Sequence, residues 1–189
     1  MEKWLRQRPE LVDAYSELVE QLKNSASHQD LLDAYLTAKR ASAVAFQSLL
    51  RANIPKQETA WHTIRHTLEY EMDREYGRVL PDWARKIPYS SRTHQELFSL
   101  LADRLGEPVP ADYLRVITAD AVHAERRVRE LRELGLPVIP AKVADADTYT
   151  LRSLELDKSY IHSIARNTIK ANKNIPDSER QRLLSFLQS

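Results

Sequence analysis

The densest set of anion-binding side chains in this sequence is the run Ala124-Glu-Arg-Arg-Val-Arg-Glu-Leu-Arg132, with four arginines in nine residues. A guanidinium presents a planar fork of donors that fits a phosphate or the O6 and N7 edge of guanine, so duplex DNA is the partner such a run suits. At about 100° per residue, Arg126 and Arg129 fall on one face with Val122 and Glu133, and Arg127 and Arg132 flank the opposite stripe. That stripe is apolar: Ala121, Ala124, Val128 and Leu131. A helix from Ala121 to Leu134 therefore has an inner side to bury and a cationic outer side, with Val122 and His123 in its first turn. A second basic series, His162, Arg166, Lys170 and Lys173, recurs every three or four residues on an expected helix from Ser159 to Lys173. It could lie along a phosphate backbone, although a charged row is also what any solvated helix face looks like.

Hydrolytic chemistry finds little support. His62, His66, Glu69 and Asp73 share a face of an expected helix from about Gln57 to Tyr76, a spacing that could hold a divalent metal. Zinc-protease helices place Glu directly after the first His, however, and Thr63 stands there, so the expectation is a solvated face with i,i+4 pairing. Pro81-Asp82 begins like a metal-dependent nuclease core, but no strand with Glu-x-Lys follows. Glu155-Leu-Asp-Lys158 comes nearest, in what reads as a turn. There is no phosphate-binding loop, no nucleophile elbow and no dinucleotide fingerprint. With zero cysteines, thiol nucleophiles, disulfides and cysteine-ligated zinc are excluded. The expectation is no catalytic residue, no metal ligand and no cofactor site.

The elements needed to position the arginines are legible around them. Thr93 to Leu105 reads as a helix ended by Gly106, and Pro110 to Ile117 as a short helix with Pro110 in its first turn. Thr118-Ala-Asp120 reads as a tight turn whose Asp caps the arginine-bearing helix, and Gly135 as that helix's left-handed cap. After Gly135 the apolar period changes from helical to extended. Leu136 to Ile139 and Tyr149 to Leu154 read as strands, joined by a polar connector around Lys142 to Asp147. Helix, turn, second helix and hairpin is the order of a winged helix-turn-helix, whose second helix enters the major groove.

The run AERRVRELRELGLPVIP followed by YTLRS resembles the winged-helix segment that precedes the nuclease domain in many bacterial HNH-type endonucleases, restriction enzymes among them. The resemblance covers roughly a quarter of the chain. It implies base-reading contacts on the outer face of the second helix and backbone contacts in the wing, hence Arg126, Arg129 and Lys142. Those enzymes continue into a His-Asn-His motif held by cysteine-ligated zinc, and this sequence has neither.

Around this segment the chain reads as mainly α: three glycines among 189 residues, with abundant Leu, Ala, Glu and Arg, suit helices better than a sandwich or barrel. Met1 to Asn24, entered near Pro9, and a helix opened by the capping sequence Ser27-His-Gln-Asp30 and stopped before Pro55 should form a hairpin, with Trp4 packing beneath it. Gly77 to Ser91 reads as a connecting loop with one helical turn, and Asp177 to Gln188 as a last helix. The expected organisation is an N-terminal helical bundle over 1–90, a winged helix-turn-helix with a two-stranded wing over 91–158, and C-terminal helices over 159–189. From Arg115 to Lys173 there are eleven Lys and Arg against eight Asp and Glu, a mild basic bias within a net charge of +1. No apolar run is long enough to span a bilayer and no signal-peptide core is present, so the cytoplasm is expected.

Two classes of function fit. In the first, the chain is the DNA-recognition part of a restriction-type endonuclease without its catalytic domain, or a free-standing winged-helix regulator, reading double-stranded DNA as a homodimer or beside a separate catalytic domain. In the second, it is a protein-interaction or assembly module, which would need exposed apolar residues where Arg126 and Arg129 stand.

Overall fold

The computed structural model of the 189-residue chain describes residues 1–24, 27–119 and 124–187. Its elements are mostly helices: α1 (Glu2–Lys23), α2 (His28–Asn53), α3 (Glu58–Tyr76), α4 (Arg92–Asp103), β1 (Val109–Pro110), α5 (Ala111–Ile117), α6 (Ala124–Glu133), β2 (Val138–Val143), β3 (Ala146–Leu151), α7 (Ile161–Ala171) and α8 (Asp177–Ser185). Single 3-10 turns cover Asp82–Arg85 and Lys158–Tyr160. The mainly α class read from composition is what the chain adopts. Two compact units divide it, residues 1–55 with 112–124, and residues 56–111 with 125–189.

In the first unit α1 and α2 form an antiparallel hairpin. Small residues let the helix axes approach: Ala14 on α1 and Ala34, Ala38 and Ala45 on α2 are buried, with Leu11 beside them. Trp4 packs on Phe46 with ring centroids 5.8 Å apart, and Ser42 Oγ donates to Tyr15 Oη at 2.9 Å. α1 begins at Glu2 and runs through Pro9 instead of starting there, so the proline removes one intrahelical donor inside the helix. Ser27 caps α2 as its sequence implies, accepting from the Asp30 N–H at 3.1 Å. Gln47 Nε2 donates to the Ile117 carbonyl at 2.8 Å, fastening the end of α5 to α2.

The second unit is built on α3 and α4. Trp61, Leu68 and Met72 from α3 meet Leu97, Phe98 and Leu101 from α4 in its core, with the Trp61 and Phe98 rings 5.2 Å apart. Buried Glu71 accepts from Lys158 Nζ at 2.6 Å and pairs with Arg74 at 2.6 Å. The Lys158 hydrogen bond is the main influence holding its carboxyl below the usual range. α7 packs against α3 and α8.

The sheet is antiparallel, ordered β1-β3-β2. Val109 pairs with Tyr149, and Val138 through Val143 pair in register with Leu151 through Ala146. The sequence reading of a two-stranded wing thus gains a third, two-residue strand, and Pro110 lies in that strand instead of opening α5. The connector expected over Lys142 to Asp147 is largely strand, because Ala144 and Asp145 turn the chain in two residues with φ of 48° and 64°. α7 ends at Ala171, which leaves Lys173 beyond the helix on which the basic row was placed.

Candidate nucleic-acid interface

α6 is where the sequence concentrates its cationic chemistry, and its packing decides which arginines face outward. Val128, Leu131 and Leu134 are fully buried and Ala124 nearly so, which fixes the inner side. Arg126, Arg127, Arg129 and Arg132 are all exposed. Val122 and His123, and Asp120 as the expected cap, lie outside the described residues. Gly135 ends the helix at φ 84°, and its carbonyl accepts from the Asp157 N–H at 3.0 Å, so the chain after the hairpin closes onto the end of α6.

The arginines do not stand alone. Glu130, one turn beyond Arg126 and Arg127, has only 5% of its side chain exposed and accepts from Arg126 Nε at 3.2 Å and Arg127 Nη1 at 2.8 Å. On its other side it meets His94 Nε2 of α4 at 2.7 Å. Nε2 beside a carboxylate carries the ring proton, so Nδ1 accepts from the Ser91 hydroxyl at 2.6 Å. Burial pushes the His94 pKa down and outweighs the carboxylate beside it, so the imidazole is neutral near pH 7. Burial would raise the Glu130 carboxyl, but hydrogen bonds from His94 and Arg127 overcome it and hold the group below its ordinary value.

The neighbouring turn repeats the pattern. Arg129 Nε lies 3.6 Å from Glu133, and Glu133 accepts from Tyr89 Oη at 2.6 Å. Burial, followed by that carboxylate, pushes the Tyr89 phenol well above its ordinary pKa. Tyr89 also packs on the His94 ring at 5.4 Å and holds a φ of 63°, a conformation that costs a tyrosine on the order of 1 kcal/mol or more. Ser91, His94, Glu130 and Tyr89 were not among the site residues that the sequence pattern singled out. Glu130 sits at i+4 from Arg126 and i+3 from Arg127, a spacing visible in the chain, whereas its burial against His94, 36 residues earlier, required the fold.

The outcome is a cationic surface seated on an anionic support. Arg126, Arg127 and Arg129 keep side chains 61%, 45% and 63% exposed while each touches a carboxylate on its own helix. Such pairing restrains long side chains at little cost in exposure, and the guanidinium edges turned to solvent stay available to an anion.

The other basic positions stand elsewhere in the same unit. Lys142 is exposed on β2 and lies opposite Asp147 across the hairpin. Arg166 and Lys170 are exposed on α7, and neither makes an ion pair among the described residues; Lys173 is exposed past its end. His162, in contrast, turns inward, with Nδ1 3.4 Å from Tyr76 Oη.

Of the positions considered for hydrolysis, the carboxylates Glu69, Asp73, Asp82 and Asp157 and the amine of Lys158 are engaged in structural contacts. His62 and His66 are exposed on α3, Glu69 accepts from the Ile87 N–H at 3.3 Å, and Asp73 pairs with Arg85. Asp82 pairs with the same arginine. Asp157 accepts from the Ser159 N–H at 3.0 Å, and Lys158 is engaged by Glu71. Among the described residues no group of three or more His, Cys, Asp or Glu is arranged to hold a metal ion, and no helix is long and apolar enough to cross a membrane.

Residues 94–157, about a third of the chain, match the family model of the KpnI N-terminal domain. This is a restriction endonuclease-related domain. The match begins at His94 and ends at Asp157, so it takes in α6, the sheet, and both ends of the His94–Glu130 and Gly135–Asp157 contacts. No curated protein and no solved structure matches the chain.

Proposed function

We propose that residues 91–158 form a winged helix-turn-helix that reads duplex DNA, with α6 as the recognition helix, and that the chain is the DNA-recognition part of a restriction-type endonuclease of the HNH kind. The observation that carries this reading is the exposed arginine face of α6, supported from beneath by Glu130 and Glu133. The element order α4, β1, α5, α6, β2, β3 supports it, as does the match to a restriction enzyme's N-terminal domain. In this reading Arg126 and Arg129 reach base edges, Arg127 and Lys142 reach phosphates, and Arg166, Lys170 and Lys173 follow the backbone further along. Val122 and His123, which lie outside the described residues, are included in the reading as DNA-contacting positions from the sequence alone. Catalysis would belong to a domain outside these residues.

Fluorescence anisotropy with a randomised duplex, followed by selection of the preferred sequence, tests the reading. Arg126→Ala should cost about 1 to 3 kcal/mol on the selected duplex and much less on random DNA. Unchanged affinity in a folded Arg126→Ala/Arg129→Ala double variant would remove α6 from the interface.

A further inference from the structure

The α1–α2 hairpin carries a second apolar seam whose large side chains are exposed among the described residues. On α1, Trp4, Leu11, Ala14 and Leu18 face α2. One position along, Leu5, Val12, Tyr15, Val19 and Leu22 repeat the same three- and four-residue spacing and are exposed. On α2, Ala34, Ala38 and Ala45 face α1, while Leu32, Tyr35 and Phe46 are exposed on the flank that Tyr15 shares through its hydrogen bond to Ser42. A groove of about 570 Å³ runs between the two rows, floored by Leu11 and walled by Val12, Tyr15, Val19 and Phe46. These large apolar residues are 43% to 61% exposed. At about 100 Å² of exposed surface apiece, eight of them present about 800 Å², above the ~300–600 Å² of the largest patch on a typical monomer and equal to one partner's share of a standard stable interface.

We infer that this face binds the same face of a second copy, giving a two-fold symmetric antiparallel four-helix bundle. The residue pattern is complementary to itself when reversed. Pairing α1 with its symmetry mate about a point between Val12 and Tyr15 sets Leu5 against Leu22 and Val12 against Tyr15, and brings cationic Arg8 beside Val19 and anionic Glu20. The same operation on α2, about a point between Lys39 and Ser42, sets Leu32 against Leu49 and Tyr35 against Phe46. The contacts Trp4 to Phe46 and Tyr15 to Ser42 put those two centres at the same height in the hairpin, so one axis serves both helices. A heptad seam on each helix is the pattern that antiparallel bundles bury.

Sedimentation velocity of the full chain should give a dimer at micromolar concentration. Val12→Glu/Val19→Glu should shift it to monomer with helical circular dichroism retained, whereas Val44→Glu, on the opposite flank of the hairpin, should leave the dimer intact. The chain has no cysteine, so orientation can be read directly. Oxidised Leu5→Cys/Leu22→Cys should run as a covalent dimer and Leu5→Cys alone should not, since antiparallel pairing holds the two copies of position 5 far apart. A monomeric wild-type chain at 100 µM, which would leave the face to a different protein, overturns the inference. So does a dimer indifferent to both glutamates, or a covalent dimer from Leu5→Cys alone.

Discussion

At the scale of single residues, Glu130 is the pivot of the candidate interface. It joins α4 to α6 through His94 and supports the two arginines at the start of α6. Its carboxylate also cancels part of their charge. Glu130→Gln keeps an acceptor for His94 but removes the anion, so it should tighten binding to any duplex at low salt by about threefold, the size of a partly exposed pair. Weaker binding would mean that the carboxylate chiefly orients the guanidiniums. His94 makes stability pH-dependent. Its folded pKa lies below its unfolded value, so the unfolded chain takes up the proton first as pH falls, and folding loses free energy below about pH 6.5. Glu130, also depressed, adds a loss at lower pH, as pH falls through its folded pKa. The thermal midpoint should therefore drop from pH 7 to pH 5, and His94→Gln should flatten that slope while lowering the midpoint at pH 7.

At the scale of elements, the junctions separate glycines that matter from those that matter less. Gly135 has φ 84°, and a Cβ there would meet the Asp157 carbonyl oxygen at 2.5 Å. Gly106 has φ 83° and open space around it. Gly106→Ala should cost about 1 kcal/mol from the left-handed backbone alone, and Gly135→Ala clearly more, as chemical denaturation can measure. The β2–β3 turn offers the reverse case. Ala144 and Asp145 both adopt positive φ without being glycine, so Ala144→Asn/Asp145→Gly should stabilise the chain by roughly 0.5 to 1 kcal/mol. Unchanged or reduced stability in that variant would argue against the two-residue turn.

At the scale of the whole molecule, the chain distributes cations over α6, the hairpin and α7. Long-range electrostatics should then set how salt acts on binding. If Arg166 and Lys170 touch phosphates, replacing both with Ala should weaken every duplex about equally and lower the slope of log affinity against log salt by about 1.8. Arg126→Ala should act chiefly through sequence preference. A full-chain titration at two salt concentrations separates these outcomes.

The sequence by itself determined the helical class, the approximate extents of most helices and the outward side of α6, because each depends on local spacing: apolar residues three and four apart, Ser27 before a helix, Gly135 after one. The strands it set at Leu136 to Ile139 and Tyr149 to Leu154 run instead over Val138–Val143 and Ala146–Leu151. It also pointed to a restriction-enzyme likeness in the stretch where the KpnI N-terminal domain match falls. It misjudged Pro9 and Pro110, since a proline reads as a helix start until packing shows that one helix tolerates it inside and a strand edge accepts the other. The strand β1, the burial of Glu130 against His94 and the engagement of Lys158 by Glu71 were invisible to it. Each joins residues 36 or more positions apart, and the stability of a long-range pair depends on desolvation and geometry that only the assembled tertiary structure supplies.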